Sequence, residues 1–106
     1  MDQIQIEALI ELAQEEVEKA VEAGNPPSGA VLTDSQGKVI VTAHNTQNSS
    51  NDPTAHAEIN LLRQAANILG RLTFEGYMLF CNAESCSMCM SACIKAKIKH
   101  FYYGAP

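Results

Sequence analysis

A chain of 106 residues has room for one domain, and 46% apolar with 18% charged residues is a globular rather than a disordered composition. Seven Lys and Arg against twelve Asp and Glu leave a formal charge of −5, which disfavours non-specific nucleic-acid binding. Apolar runs of only a few residues exclude a membrane-spanning helix, and Met1-Asp2-Gln3-Ile4-Gln5 lacks the basic and apolar stretches of a signal peptide, so the cytoplasm is the expected compartment.

Residues 4–23 carry a helical period. Ile6, Leu9, Ile10, Ala13, Val17, Ala20 and Val21 recur on one face, with Glu7, Glu11, Glu15, Glu18 and Glu22 on the wet side. Gly24-Asn25-Pro26-Pro27 stops that helix. Two β-rich runs, Gly29-Ala30-Val31-Leu32-Thr33 and Lys38-Val39-Ile40-Val41-Thr42-Ala43, flank the turn residues Asp34-Ser35-Gln36-Gly37 and predict an antiparallel hairpin. From Asn45 to Pro53 the chain is almost wholly polar and reads as a loop.

Asp52-Pro53 reads as a helix start, with the helix running from about Thr54 to Leu69, burying Ile59, Leu62, Ala66 and Leu69 and ending at Gly70. Tyr77-Met78-Leu79-Phe80-Cys81 predicts a buried strand, residues 86–96 a helix, and Ile98-Lys99-His100-Phe101-Tyr102-Tyr103 a final strand. A strand, a crossover helix and a strand imply a parallel pair. The order α-β-β-α-β-α-β thus predicts an α/β fold, a mixed sheet with helices on its faces. Lys95, Lys97 and Lys99 form the one basic cluster and read as a solvated helix end and strand start.

All four cysteines fall between residues 81 and 93, a crowding that suits a metal or redox site better than a disulfide framework. Cys86-Ser87-Met88-Cys89 puts two thiols on one face at a helix start, where the dipole favours thiolate. Alone, this C-x-x-C is open between zinc, thioredoxin-like redox chemistry and two packed thiols. His56-Ala57-Glu58 stands at a second helix start, and both helix starts can open on one edge of the sheet. His56, Cys86 and Cys89 would give three zinc ligands and leave a fourth position for water, the pattern of a catalytic rather than a structural zinc. Glu58 is about 200° from His56 round an ideal helix. It can share the site only if the metal lies off the helix end, where its carboxylate would take and return the protons of a hydrolytic deamination. A closed site using Cys93 is conceivable but leaves Glu58 without a task; Cys81 reads as core, and His44 and His100 as structural.

His56-Ala57-Glu58 with Cys86-Ser87-Met88-Cys89 matches the H-x-E…P-C-x-x-C signature of zinc deaminases. The longer string Asn51-Asp52-Pro53-Thr54-Ala55-His56-Ala57-Glu58-Ile59-Asn60 resembles the cytidine/deoxycytidylate deaminase-like superfamily. Within it, the nearest likeness is the branch of guanine deaminases, tRNA-specific adenosine deaminases and fungal-type cytosine deaminases. Pro27-Ser28-Gly29-Ala30-Val31 looks like that branch's first-strand motif, and Phe101-Tyr102-Tyr103-Gly104-Ala105 like the strand after its second zinc helix.

The resemblance implies a three-layer α-β-α fold over a single domain, residues 1–106, with one zinc held by His56, Cys86 and Cys89 and with Glu58 as proton shuttle. It also implies substrate contacts from Asn45, the backbone N–H of Ala57, Pro26 and Ser28. The implied activity is zinc-dependent release of ammonia from a small nucleobase- or nucleoside-like amine, a guanine-like purine first and cytosine next. A tRNA adenosine substrate ranks lower for an acidic chain, so no nucleic-acid or membrane partner is expected. A zinc-binding protein without turnover is the alternative from another class. A homodimer or higher homo-oligomer is expected, because the family assembles through helix faces and a four-stranded sheet keeps an exposed edge.

Three departures from the family pattern stand out. Ser85 replaces the proline before the first zinc cysteine, which is expected to loosen the loop presenting Cys86. Ser28 removes apolar wall from the base pocket. The chain ends at Pro106, without the usual C-terminal helix and strand that cover the base in relatives.

Overall fold

The computed structural model describes residues 1–105; Pro106, where the sequence reading places the end of the domain, lies outside them. Its elements are α1 (Gln3–Glu22), β1 (Gly29–Thr33), β2 (Val39–His44), α2 (Gln47–Ser50), α3 (Ala57–Leu69), β3 (Met78–Cys81), α4 (Ser87–Lys95) and β4 (His100–Tyr103). They form a mixed sheet of order β2-β1-β3-β4. β1 pairs antiparallel with both β2 and β3, and β3 pairs parallel with β4. The expected hairpin and parallel pair are both present.

Alternation along the central strands divides the core into two layers. Val31, Met78 and Phe80 face α1 through Ala13, with Leu9 and Ile10 packed around them. Ala30, Leu32, Leu79 and Cys81 face the opposite layer, which holds Ala57, Leu61 and Ala65 of α3 and Cys93 of α4. The three-layer α-β-α architecture follows from β1 and β3 being buried on both faces. Phe80 and Tyr102, opposite each other in register, stack with centroids 4.7 Å apart and close the α1 side.

Local chemistry sets the element ends. Asp2 and Gln5 form a reciprocal capping box on α1. Asp34 Oδ1 accepts from the N–H groups of Gln36 and Lys38, and Gly37 supplies the positive φ that closes the hairpin. Gly70 ends α3 in the left-handed conformation, as the sequence predicts.

Several expectations need correction. The polar stretch 45–53 is not all loop, because residues Gln47–Ser50 form α2. Its Thr46 N-cap makes no side-chain capping bond; instead buried Asn25, from the α1–β1 connection, accepts from the N–H groups of Asn48 and Ser49 at 2.9 and 3.0 Å. Asp52-Pro53 starts a turn, not a helix: Asp52 Oδ1 accepts from both Thr54 N and Thr54 Oγ1, and α3 begins only after its N-cap His56. The fully buried row of α3 is Ala57, Glu58, Leu61 and Ala65, while Ile59, Leu62, Ala66 and Leu69 are half-buried. Small residues on that row let the helix sit close on the sheet, which turns the larger side chains to its flank.

On α1, Val21 is exposed and Glu16 is 4% exposed, although the periodicity assigns an apolar face. Glu16 sits one turn from Ala13 and Ala20 on the sheet side. It accepts from Lys19 Nζ at 2.7 Å and bonds His44 Nδ1 at 2.8 Å, so His44 holds β2 to α1. Burial raises the Glu16 pKa, but the hydrogen bonds from Lys19 and His44 outweigh it and hold the carboxyl below its ordinary 4.5. A carboxyl depressed in the folded state contributes stability that is complete above its unfolded pKa and lost as pH falls through the folded one. Glu16→Gln is therefore expected to be less stable than the parent chain at pH 7, with the gap closing below about pH 4.5; urea unfolding across pH 3–7 checks this, and a constant gap would refute it.

Candidate active site

The site lies where the C-terminal end of β3 meets the starts of α3 and α4. His56 is the N-cap of α3 and Cys86 the N-cap of α4, each with extended backbone. Standing off the helix ends frees both side chains from the helical faces. That is how His56 and Glu58, so far apart round an ideal helix, come together at one end of α3. His56 Nδ1 lies 3.6 Å from Cys86 Sγ and 3.4 Å from Cys89 Sγ, and the three donor atoms all lie within 4.8 Å of one another. Cys86 is exposed, His56 half-buried and Cys89 buried, so the group opens to solvent on one side.

These donors fit zinc. Tetrahedral angles with Zn–N near 2.05 Å and Zn–S near 2.3 Å put nitrogen and sulfur ~3.6 Å apart, as found. Burial, then the nearby Glu58 carboxylate and Cys86, pushes the Cys89 thiol far above its ordinary range. A dication between the sulfurs supplies the charge that reverses this. Cys93 is not one of the three grouped donors: it is buried in α4 against the sheet, its thiol pushed up to about 12 by burial and then by Glu58. Cys81 is likewise core.

Glu58 is 5% exposed. Its Oε2 accepts from Ser85 Oγ at 2.7 Å, with Cys81 Sγ at 4.0 Å. Its place in the first turn of α3 also suits an anion. The loop before Cys86 carries further hydrogen bonds. Asn82 Oδ1 accepts from Gly29 N and its amide donates to Pro27 O, while Glu84 N donates to Ala105 O. The same Asn82 bonds tie the Pro26–Ser28 segment to the end of β3.

Asn45 follows β2 directly and is 2% exposed. Its backbone N–H donates to Ser28 O, which brings these two expected substrate residues together. Both ends of its side chain are engaged by Gln47: Oδ1 accepts from Gln47 N at 2.8 Å and Nδ2 donates to Gln47 Oε1 at 2.6 Å. Ala57 is buried in the first turn of α3, where a backbone N–H has no intrahelical partner. Sequence reasoning missed Asn60, whose Nδ2 donates to His44 O and Thr46 Oγ1, both at 2.9 Å, and so fastens the end of β2 to the helix bearing Glu58. Its place one turn after His56 was the available signal.

An α-β-α sheet carrying H-x-E and C-x-x-C at two converging helix starts defines the zinc deaminase class of protein. The family model for the cytidine and deoxycytidylate deaminase zinc-binding region matches residues 3–105, and the chain belongs to that family. It is 42% identical over 96 residues to a tRNA-specific adenosine deaminase of Agrobacterium fabrum, covering 91% of this chain and 62% of the relative. It is 38% identical over 79 residues to a guanine deaminase of Bacillus subtilis, covering 74% and 50%. A crystal structure of guanine deaminase from Bacillus subtilis superposes with a TM-score of 0.89 at 34% identity, covering 99% of this chain and 65% of that one. The chain thus spans about half to two-thirds of the length of these relatives. Among the described residues no helix is long and apolar enough to cross a membrane.

With zinc as the family cofactor, chelation is expected to lower the melting temperature. A ligand present at 1,000 times its Kd stabilises the folded state by about 4 kcal/mol, and its removal forfeits that. Thermal melts with and without chelator check this; an unchanged melting temperature would count against the His56/Cys86/Cys89 centre.

Proposed function

We propose that residues 1–106 form one zinc-dependent aminohydrolase domain that deaminates a small aminated heterocycle, a guanine-like purine before cytosine. The observation that carries this is a buried carboxylate, Glu58, beside an imidazole and two thiols at zinc-ligand spacing and open to solvent on one side. When bound by His56, Cys86 and Cys89, zinc supplies Lewis acidity that brings the pKa of water toward about 7. Glu58 takes a proton from the attacking water and gives it to the ring nitrogen. It then carries the second proton to the amine. The water oxygen's bond to the ring carbon is made, the carbon–nitrogen bond breaks, and ammonia leaves.

In this reading the N–H of Ala57 holds the ring edge, and Pro26 and Ser28 border the base. Asn45 serves as ring partner by exchanging its Gln47 bonds for the substrate's. The half-buried Ser28 and exposed Pro26 leave that border open to solvent.

Adenosine in tRNA is the second reading, favoured by the 42% identity to the Agrobacterium fabrum enzyme and opposed by the acidic charge of the chain. Ammonia release from guanine, cytosine, adenine, their nucleosides and tRNA separates the readings. Release from guanine alone supports the first, and release from tRNA alone replaces it with the second. Silence with one zinc per chain favours a zinc-binding protein without turnover. We further propose a cytoplasmic location and a homo-oligomer, the latter supported by exposed Ile68, Leu72 and Ile94 around the α3–α4 side.

A further inference from the structure

Ser85 stands where the family signature has proline, and its side chain supplies what proline lacks. The Ser85 Oγ to Glu58 Oε2 distance of 2.7 Å is that of a well-formed O–H···O hydrogen bond. Ser85 Oγ is the donor and Glu58 Oε2 the acceptor. The bond spans 27 residues of sequence and joins the loop before α4 to the first turn of α3. The donor is half-buried and the acceptor 5% exposed, so water competes weakly for either.

The anchor does not drift, because the loop is tied on both sides of Ser85. Asn82 bonds β1 and the Pro27 carbonyl, Glu84 bonds Ala105, and Cys86 caps α4. The bond is also selective between the two carboxylate oxygens. Oε2 takes Ser85 and the Cys81 thiol, whereas Oε1 has no hydrogen-bond partner among the described residues. A glutamate side chain loses much rotamer freedom when one oxygen is fixed. What remains is a carboxylate held by one atom with the other free to exchange protons.

We infer that Ser85 is a positioning residue that holds Glu58 by Oε2 and presents Oε1 for proton transfer. This rests on Glu58 being the proton carrier proposed above. Ser85 acts through its bond to Glu58, so its loss is expected to fall on turnover rather than on substrate binding. A misplacement of about 1 Å costs on the order of 10²-fold.

The test uses the zinc-loaded full chain with guanine as probe. Ser85→Ala and Ser85→Pro are expected to lower kcat about 10- to 100-fold at unchanged KM and unchanged zinc content, and Ser85→Thr, which keeps the hydroxyl, to recover most of it. A double-mutant cycle of Ser85→Ala with Glu58→Ala in urea unfolding needs no substrate. It is expected to show coupling of about tenfold or more in the unfolding constant. Additivity within about twofold overturns the inference, as does full kcat in Ser85→Ala while Glu58→Gln is inactive. Activity retained in Glu58→Gln instead overturns the proton-carrier reading, whatever Ser85 does.

Discussion

Glu58→Gln is expected to lower turnover by about 10²- to 10⁴-fold while one zinc per chain is retained. The carboxamide fills the same volume and can still accept from Ser85 through its oxygen, so neither packing nor the loop before α4 is disturbed. The three donor atoms, His56 Nδ1 and the sulfurs of Cys86 and Cys89, are untouched. What is lost is the proton-accepting carboxylate. Measuring ammonia release beside metal content separates this from a binding defect. Loss of activity with loss of zinc would mean that Glu58 supports the centre rather than carries protons, and full activity would remove the mechanism.

Gly29→Ala is expected to destabilise the fold by about 3 kcal/mol or more. A Cβ at this position would overlap the Ala13 carbonyl oxygen and come within 2.8 Å of Glu16 Cβ and 2.9 Å of Val17 N. Two of these are backbone atoms of α1, which cannot rotate aside, so the helix would have to lift off β1. Lifting it strains Ala13 and Val31 in the core and the Glu16–His44 pair. The same residue donates its N–H to Asn82 Oδ1, so the shift would reach the loop that carries Ser85. A fall in the urea midpoint with an unchanged slope is the expected result. Gly24→Ala is the contrast: nothing lies within 4 Å of its added Cβ, and its φ of +82° costs only about 1 kcal/mol. Equal losses in the two variants would show that close approach of α1 to β1 is not what Gly29 provides.

The parts of this protein that were legible in its sequence are those whose determinants lie close together along the chain. The 3.6-residue period of α1, the Asp34–Gly37 turn and the glycine stop at Gly70 each act over a few residues, and each is where the sequence places it. H-x-E and C-x-x-C are equally local, because zinc requires nitrogen and sulfur donors and a helix end sets their spacing. Asp52-Pro53 shows the limit of local reading. Asp52 does satisfy nearby donors, but those of a turn, and His56 itself becomes the cap.

What only the tertiary structure decided are the contacts between residues far apart in sequence. Asn25 caps a helix more than twenty residues away, Glu16 turns inward to meet His44, and Ser85 reaches Glu58 across the site. In each case a polar side chain is buried only because a partner from another element meets it there. Periodicity marks which residues are able to leave water. It does not name the group that will be waiting for a carboxylate or an amide, since that depends on how the layers stack.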